Sequence, residues 1–290
     1  MSLEAVRQAG SILDAIHIDQ IGPRHFVGPA HPGPRMRTYG GEVAGQAVLA
    51  AGLTVPADRA IHAIHTYFLL PGDTTLPVDF HVTDVREGGS FTTRRVEAVQ
   101  AGRVIFTMLA SFQIAEVGLE HQLSELTVPL PHELPSLEVT FGADSEDLRW
   151  VERLIGRASV DARFPAPPAR CHTVPGHKRE PRQSIWLRAL ADIPASPLEQ
   201  AACLTYVSDL LLLSSALGPH GRTLQDGSLQ FATINHSVWF HSPMRIDEWF
   251  LYDQESRWAG GARAIAHGEI LDQSGRLCAT TMQEGLLRLL

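Results

Sequence analysis

The chain repeats itself. Arg59-Ala60-Ile61-His62-Ala63-Ile64-His65-Thr66-Tyr67-Phe68 lies over Gln230-Phe231-Ala232-Thr233-Ile234-Asn235-His236-Ser237-Val238-Trp239. Gly102-Arg103-Val104-Ile105-Phe106-Thr107 lies over Gly275-Arg276-Leu277-Cys278-Ala279-Thr280 in the same way. The unit is far longer than the ~20–50 residues of a solenoid repeat, so the chain reads as a duplicated domain. Any two antiparallel meanders share an outline, but the shared His-Thr/Ser step followed by an aromatic favours duplication. At 290 residues there is room for two ordinary domains, and 44% apolar residues supply a sizeable core.

Each half reads as one helix followed by four strands. In the first, residues 40–51 are small and apolar, opened by Gly40-Gly41 and stopped before Pro56. Strands are expected at 61–69, 77–87, 90–101 and 103–114, separated by Pro71-Gly72-Asp73, Gly88-Gly89 and Ala101-Gly102. In the second, a helix over 199–217 ends at Gly218-Pro219, and strands follow at 229–241, 248–258, 261–271 and 276–287. A helix and an antiparallel meander make an α+β unit whose sheet wraps a central helix. Outside the repeat, 3–15 reads as an amphipathic helix, 16–27 as strand-like, and His31-Pro32-Gly33-Pro34 as a loop. Pro129, Pro131 and Pro135 mark a connector, 146–156 looks helical, 165–181 is proline-rich and basic, and 182–190 alternates as a strand. The expected division is a first domain over 1–115, a linker over 116–150 and a second domain over 151–290.

The net charge of −8 argues against a nucleic-acid binder, which carries a basic stripe. It also gives an anionic ligand no help from the overall field, so any phosphate contact must be local. Arg94, Arg95, Arg103, Arg257 and Arg263 are candidates among which the sequence does not choose. Cys171, Cys203 and Cys278 form no CxxC and no metal spacing, and so sparse a count fits a reducing compartment. Cys203 and Cys278 read as small core residues. No basic stretch followed by an apolar one opens the chain, so a cytoplasmic location is expected. Residues 201–218 carry a single charge, but a membrane span needs ~20 mostly apolar residues. With Thr205, Ser208, Ser214 and Ser215 inside it, this run reads as a buried helix rather than a span.

That single charge is Asp209. Burying an unpaired carboxylate costs several kcal/mol, so Asp209 needs polar partners, a wet cleft, or an exposed stripe shared with Ser208 and Thr205. Period-two alternation along 229–241 puts Thr233, Asn235 and Ser237 on one face, and His236 with Ile234, Val238 and Phe240 on the other. On the last strand, Thr281 and Gln283 share a face. Three successive second-half elements therefore each offer a polar group able to converge. Competing signatures are missing: there is no G-x-S-x-G, no G-x-G-x-x-G after a strand, and no G-x-x-x-x-G-K-[ST]. Fourteen histidines form no H-E-x-x-H, and His62 and His65 have the wrong spacing for one strand face, so no metal site is expected. His236 reads as a core residue, and Trp239-Phe240 as packing or the border of an acyl tunnel.

Tyr206-Val207-Ser208-Asp209-Leu210, the run from Ala232 to His241, and Met282-Gln283-Glu284-Gly285 resemble the motifs of the TesB-type acyl-CoA thioesterases, the acyl-CoA thioesterase II family. Gly40-Gly41-Glu42-Val43-Ala44-Gly45-Gln46-Ala47 and His65-Thr66-Tyr67-Phe68-Leu69-Leu70-Pro71-Gly72-Asp73 agree as well. The resemblance keeps motif order over nearly the whole chain and is weakest between about 115 and 180; the family commonly has glutamine in place of Glu42. It implies a double hot-dog fold and hydrolysis of acyl-CoA to a fatty acid and CoA without a cofactor. It also implies a homo-oligomer, a dimer of double units or larger. Its Asp/Thr/Gln catalytic set falls on Asp209, Thr233 and Gln283. Their first-half counterparts align as Gly45, His62 and Ala110, which lack acid, hydroxyl and amide. One working site per chain is expected, with the first half as structural partner. Two other readings stand beside this one. An enoyl-CoA hydratase on the same fold resembles a D-x-x-x-x-H pattern, which Asp58 and His62 miss by one residue. A non-catalytic acyl-CoA sensor has no need of all three groups.

Overall fold

The computed structural model describes residues 11–31, 33–123, 125–168, 171, 178–223 and 227–290. Much of the expected helix over 3–15, Pro32 of the loop at 31–34, and most of 169–177 lie outside the described residues. A short helix α1 (Ile12–Ile16) is opened by a capping box between Ser11 and Asp14. The strand-like stretch after it is a hairpin, β1 (Asp19–Gly22) and β2 (His25–Gly28), turning at Pro23-Arg24. Then come α2 (Gly40–Gly52), β3 (Arg59–Phe68), β4 (Val78–Glu87), β5 (Phe91–Gln100) and β6 (Arg103–Ile114). The connector holds α3 (Leu137–Phe141) and α4 (Glu146–Ala158). The second half is β7 (Val160–Arg163), β8 (Arg182–Ala189), α5 (Pro197–Ser208), β9 (Leu229–Phe240), β10 (Phe250–Gly260), β11 (Arg263–Asp272) and β12 (Leu277–Leu289).

The strands form one antiparallel sheet in the order β1-β2-β4-β5-β6-β3-β9-β12-β11-β10-β8-β7. Alternation explains how it buries one face: along β5, Thr92, Arg94, Val96, Ala98 and Gln100 point inward while their neighbours are more exposed. The two halves join where β3 pairs with β9. There His65 faces Ser237 and Thr66 faces His236, so each member of one dipeptide meets the counterpart of its neighbour across a local twofold. Two side-chain bonds close the seam: His65 Nδ1 to Ser237 Oγ at 2.9 Å, and the Thr66 hydroxyl donating to the His236 carbonyl at 2.8 Å. The result is a double hot-dog, two helices wrapped by two merged sheets.

The two wrapped helices touch through glycine. A Cβ on Gly41 would lie 2.2 Å from the Tyr206 carbonyl oxygen, and one on Gly45 would lie 3.0 Å from that of Ala202. One on Gly52 would lie 2.2 Å from Leu198 Cδ1. The order of these contacts makes α2 and α5 antiparallel, so the start of α2 abuts the end of α5. Around them, Ala44, Val48, Phe80, Phe112, Leu204 and Ile270 belong to a single apolar core spanning both halves. Each fully buried large side chain contributes roughly 1.5–3 kcal/mol. The connector covers part of the outer face of the second half. Leu126, Val128 and Leu130 pack on Trp186, whose indole N–H donates to the Pro129 carbonyl at 2.9 Å.

The apolar run expected as one helix over 199–217 is broken. α5 stops at Asp209, Leu211 adopts φ 62°, and a 3-10 helix follows over Leu212–His220. Side chains from the sheet make the break tolerable: Gln254 donates to the Leu210 carbonyl at 3.0 Å, and Gln183 to that of Leu211 at 2.9 Å. Carbonyls released by the lost helical turn thus keep partners. From Gln200 to Gly218 every residue but the half-buried Asp209 is buried.

Candidate functional site

Asp209 caps the C-terminal end of α5, where the helix's own dipole disfavours a negative charge. The antiparallel contact supplies the opposite pole. The Gly41 N–H, in the first turn of α2, donates to Asp209 Oδ2 at 3.0 Å. The glycine that lets the helices approach thus also lets a backbone donor reach the carboxylate. On the other oxygen, Oδ1 accepts from Gln283 Nε2 at 2.5 Å and from Thr233 Oγ1 at 3.5 Å. Gln283 Nε2 also donates to Thr233 Oγ1 at 3.0 Å, so both amide hydrogens are engaged. The three residues singled out from the sequence are therefore brought together, from the end of α5, from β9 and from β12.

Thr233 arrives by a route that strict alternation does not give. The register between β9 and β12 runs Gln283↔His236 and Glu284↔Asn235, then shifts to Gly285↔Thr233, which leaves Ile234 as a bulge. The bulge reverses the phase of the strand. Thr233 joins His236 on the inner side, while Asn235 bonds Glu284 and Ser237 bonds His65. The expected grouping of Thr233 with Asn235 and Ser237 is thereby corrected. The grouping of Thr281 with Gln283 stands, both being buried.

Burial pushes the Asp209 carboxyl up to about 6, opposed by the bonds from Gln283, Gly41 and Thr233 and by the positive charge of Arg37. It is therefore ionised at neutral pH, yet close enough to neutrality to take a proton. Asp209 and Thr233 line a cavity of about 260 Å³, whose apolar wall includes Phe68, Ile105, Phe106 and Phe231. Arg37, Tyr39 and Gly40 line it too. Most of these side chains come from the first half, so the site lies between the halves. Sequence reasoning missed that contribution. Its signal was the Gly40-Gly41 pair opening a helix, a place where backbone N–H groups lie open to an anion.

Behind Asp209 lies a buried polar layer. Ser208 Oγ is 2.8 Å from His236 Nε2. The Tyr252 hydroxyl donates to the Ser208 carbonyl at 2.6 Å and sits 3.0 Å from Thr281 Oγ1. Burial pushes His236 down to about 4, so its imidazole is neutral. Glu42 pairs with His31 at 2.6 Å in the same helical turn as Gly41, and burial raises its pKa against that pairing.

The first-half counterparts assemble nothing comparable. Gly45 is spent on the helix contact, His62 bonds Ser111 at 2.8 Å, and Ala110 is buried opposite Arg94. The residue that caps α2 as Asp209 caps α5 is Leu53, which replaces Gly45 as its positional equivalent. Of the arginines considered for phosphate, Arg94 is 1% exposed and points into the core. Arg257 pairs with Glu255 at 2.6 Å, and Arg263 with Glu284 at 2.9 Å. Trp239 packs edge-on against His65 at the seam. Among the described residues, no group of three His, Cys, Asp or Glu is placed to hold a metal ion.

Two family models match the chain: an acyl-CoA thioesterase N-terminal domain over residues 29–113 and acyl-CoA thioesterase over 157–286. Human acyl-coenzyme A thioesterase 8 is 37% identical, over 95% of this chain and 86% of its own. Acyl-CoA thioesterase 2 of Haemophilus influenzae is 33% identical, over 96% and 97%. The crystal structure of acyl-CoA thioesterase II TesB2 from Mycobacterium marinum superposes with a TM-score of 0.79 at 39% identity, covering 97% of this chain and 99% of that one.

Proposed function

Because the chain belongs to the acyl-CoA thioesterase family, it hydrolyses acyl-CoA to a free acid and CoA, and we propose that Asp209, Thr233 and Gln283 carry the reaction. One observation carries this reading. A single carboxylate, bonded by an amide, a hydroxyl and a helix-start N–H, lines a cavity that also has an apolar wall.

The chemistry asks little of the protein. A thiol with a pKa of about 8.5 leaves as thiolate near neutral pH, so no general acid is obligatory. What is needed is an aimed water and a place for the oxyanion. Ionised Asp209 takes a proton from the water as its oxygen attacks the thioester carbon. Gln283, with both amide hydrogens committed, fixes the carboxylate and the threonine relative to one another. Thr233 Oγ1 retains a lone pair to orient the water. The oxyanion falls to the start of α2, whose first-turn N–H groups lack helical acceptors and sit at the positive end of the dipole. Gly40 leaves room there: a Cβ on it would lie 2.8 Å from Asp209 Oδ2 and 3.0 Å from the Phe68 ring. The acyl chain runs along Phe68, Ile105, Phe106 and Phe231. Collapse of the intermediate expels the thiolate, and the proton held by Asp209 passes to it or to solvent.

The division into 1–115, linker 116–150 and 151–290 belongs to this reading, since each half supplies one wall of the site. So does self-association. Leu109, His65, Ser237 and Met282 run in register across the outer face of the seam, and Leu109 and Met282 are exposed apolar groups there. The buried thiols of Cys203 and Cys278 accord with a reducing compartment such as the cytoplasm. No observation favours the hydratase or the sensor reading. The test is a panel of acyl-CoAs followed with a thiol reagent. Release of CoA from at least one chain length is expected, whereas binding without release from any of them would turn the protein into a sensor.

A further inference from the structure

His236 takes no part in the chemistry above, yet it touches two of the elements that carry it. The side chain is 0% exposed and stands directly opposite Gln283 on the neighbouring strand. Opposed residues of an antiparallel pair point to the same face, with Cβ atoms ~4.5–5.5 Å apart. On its far side, Nε2 lies 2.8 Å from Ser208 Oγ, the residue before Asp209. Thr66 of the first half holds its backbone carbonyl at 2.8 Å.

Two buried atoms on this face have no protein partner: His236 Nδ1 and Gln283 Oε1. A neutral imidazole has one donor and one acceptor, and its tautomer is set by what the other nitrogen meets. If Nε2 carries the proton, it donates to Ser208 Oγ, and the serine hydroxyl donates to the Thr205 carbonyl at 2.9 Å. The bare Nδ1 then competes for the Gln283 amide hydrogens and draws them away from Asp209. If Nδ1 carries the proton, the Ser208 hydroxyl donates to Nε2, and the Nδ1–H faces the amide oxygen. Only the second arrangement agrees with an amide whose nitrogen donates to both Asp209 and Thr233.

We propose that His236 is a positioning residue, held as the Nδ1–H tautomer by Ser208, that fixes the Gln283 amide with its nitrogen on Asp209 and Thr233. The proposed bond runs from the His236 Nδ1–H to Gln283 Oε1, directly or through one water. An amide turned the other way presents its oxygen to the carboxylate and destroys the support that an ionised Asp209 needs. This inference rests on Gln283 acting in hydrolysis as proposed above.

Two measurements on the full chain test it. Long-range nitrogen–proton NMR of the histidine rings, with His236 assigned by its disappearance in His236→Asn, is expected to show a neutral Nδ1–H ring; a Nε2–H ring would overturn the proposal. In kinetics, His236→Leu is expected to lose between ~10-fold and ~10²-fold in kcat with KM within ~3-fold, as a misaligned group does. His236→Asn, whose side-chain N–H reaches the place of Nδ1, is expected to recover most of that loss. Full kcat in His236→Leu, or equal losses in both variants, would refute the inference. If His236→Leu does not fold, the tautomer of the native ring decides. Gln283→Ala separates the two levels. Full turnover in that variant breaks the site itself, whereas a Gln283→Ala with lowered kcat beside a fully active His236→Leu breaks only the role of His236.

Discussion

At the end of α5 an acidic side chain, Asp209, looks into a cavity. Just past the end of α2, Thr54 looks onto an arginine. Arg94 Nε lies 3.0 Å from Thr54 Oγ1, its Nη2 lies 2.9 Å from the Thr54 carbonyl, and Glu87 closes over the same guanidinium. The exchange extends into the sheet. In the second half the long Gln283 stands opposite the small Ala266, while in the first the small Ala110 stands opposite the long Arg94. The same scaffold thus holds a carboxylate beside a cavity in one half and a buried cation in the other. Duplication supplied two helix ends, and the proposed hydrolysis uses only the open, acidic one. The filled half still serves the open one, because it lends the Gly41 N–H and most of the apolar wall.

The largest effect expected from breaking this contrast is on turnover. Asp209→Asn removes the proposed proton acceptor and should lower kcat by ~10²–10⁴ in a thiol-release assay. The variant should melt no lower than the native protein, because the charge it removes is one that burial disfavours.

Stability against pH sharpens the same point. The Asp209 pKa rises from 3.8 to about 6 on folding, so its contribution is present below the unfolded value and is lost as pH rises through about 6. The amount is about 3 kcal/mol. His236 is depressed from 6.5 to about 4, so its contribution is present above 6.5 and is lost as pH falls toward 4. The two oppose one another over one window. Denaturant titration should find Asp209→Asn more stable than the native protein at pH 7, with the advantage shrinking to nothing by pH 4.

Gln283→Ala and Thr233→Ala should each lower kcat by roughly 10–10²-fold, with the double variant falling short of the product because the two act as one unit. Arg94→Met should cost about 1–2 kcal/mol through the lost bonds to Thr54, read by chemical denaturation, with kcat unchanged. A fall in kcat matching the fall in stability would mean that the filled half does more for the site than shape it.

Much of this was legible in the chain. The repeat announced two like units, the last strand of the first half runs Arg103–Ile114 as its alternation suggests, and the lone charge of Asp209 marked the one place where an apolar run needed polar partners. What stayed hidden depends on contacts distant in sequence. A bulge at Ile234 is a property of the β9–β12 pairing, and nothing in the alternation of β9 alone shows it. The helix break at Asp209 is tolerated only because Gln183 and Gln254 arrive from the sheet. Arg94 stood among the candidate phosphate contacts because its partners, Thr54 and Glu87, sit on other elements. The Gly41 donor belongs to the other half altogether.

The proposed hydrolysis depends on an ionised Asp209 drawing a proton from water at the junction of α2 and α5. The pH dependence of kcat/KM for a good acyl-CoA substrate tests this most directly. It should fall tenfold per pH unit on the acid side, with its midpoint near 6, where burial places the carboxyl. Activity that stays level down to pH 4.5 would mean that some other group activates the water.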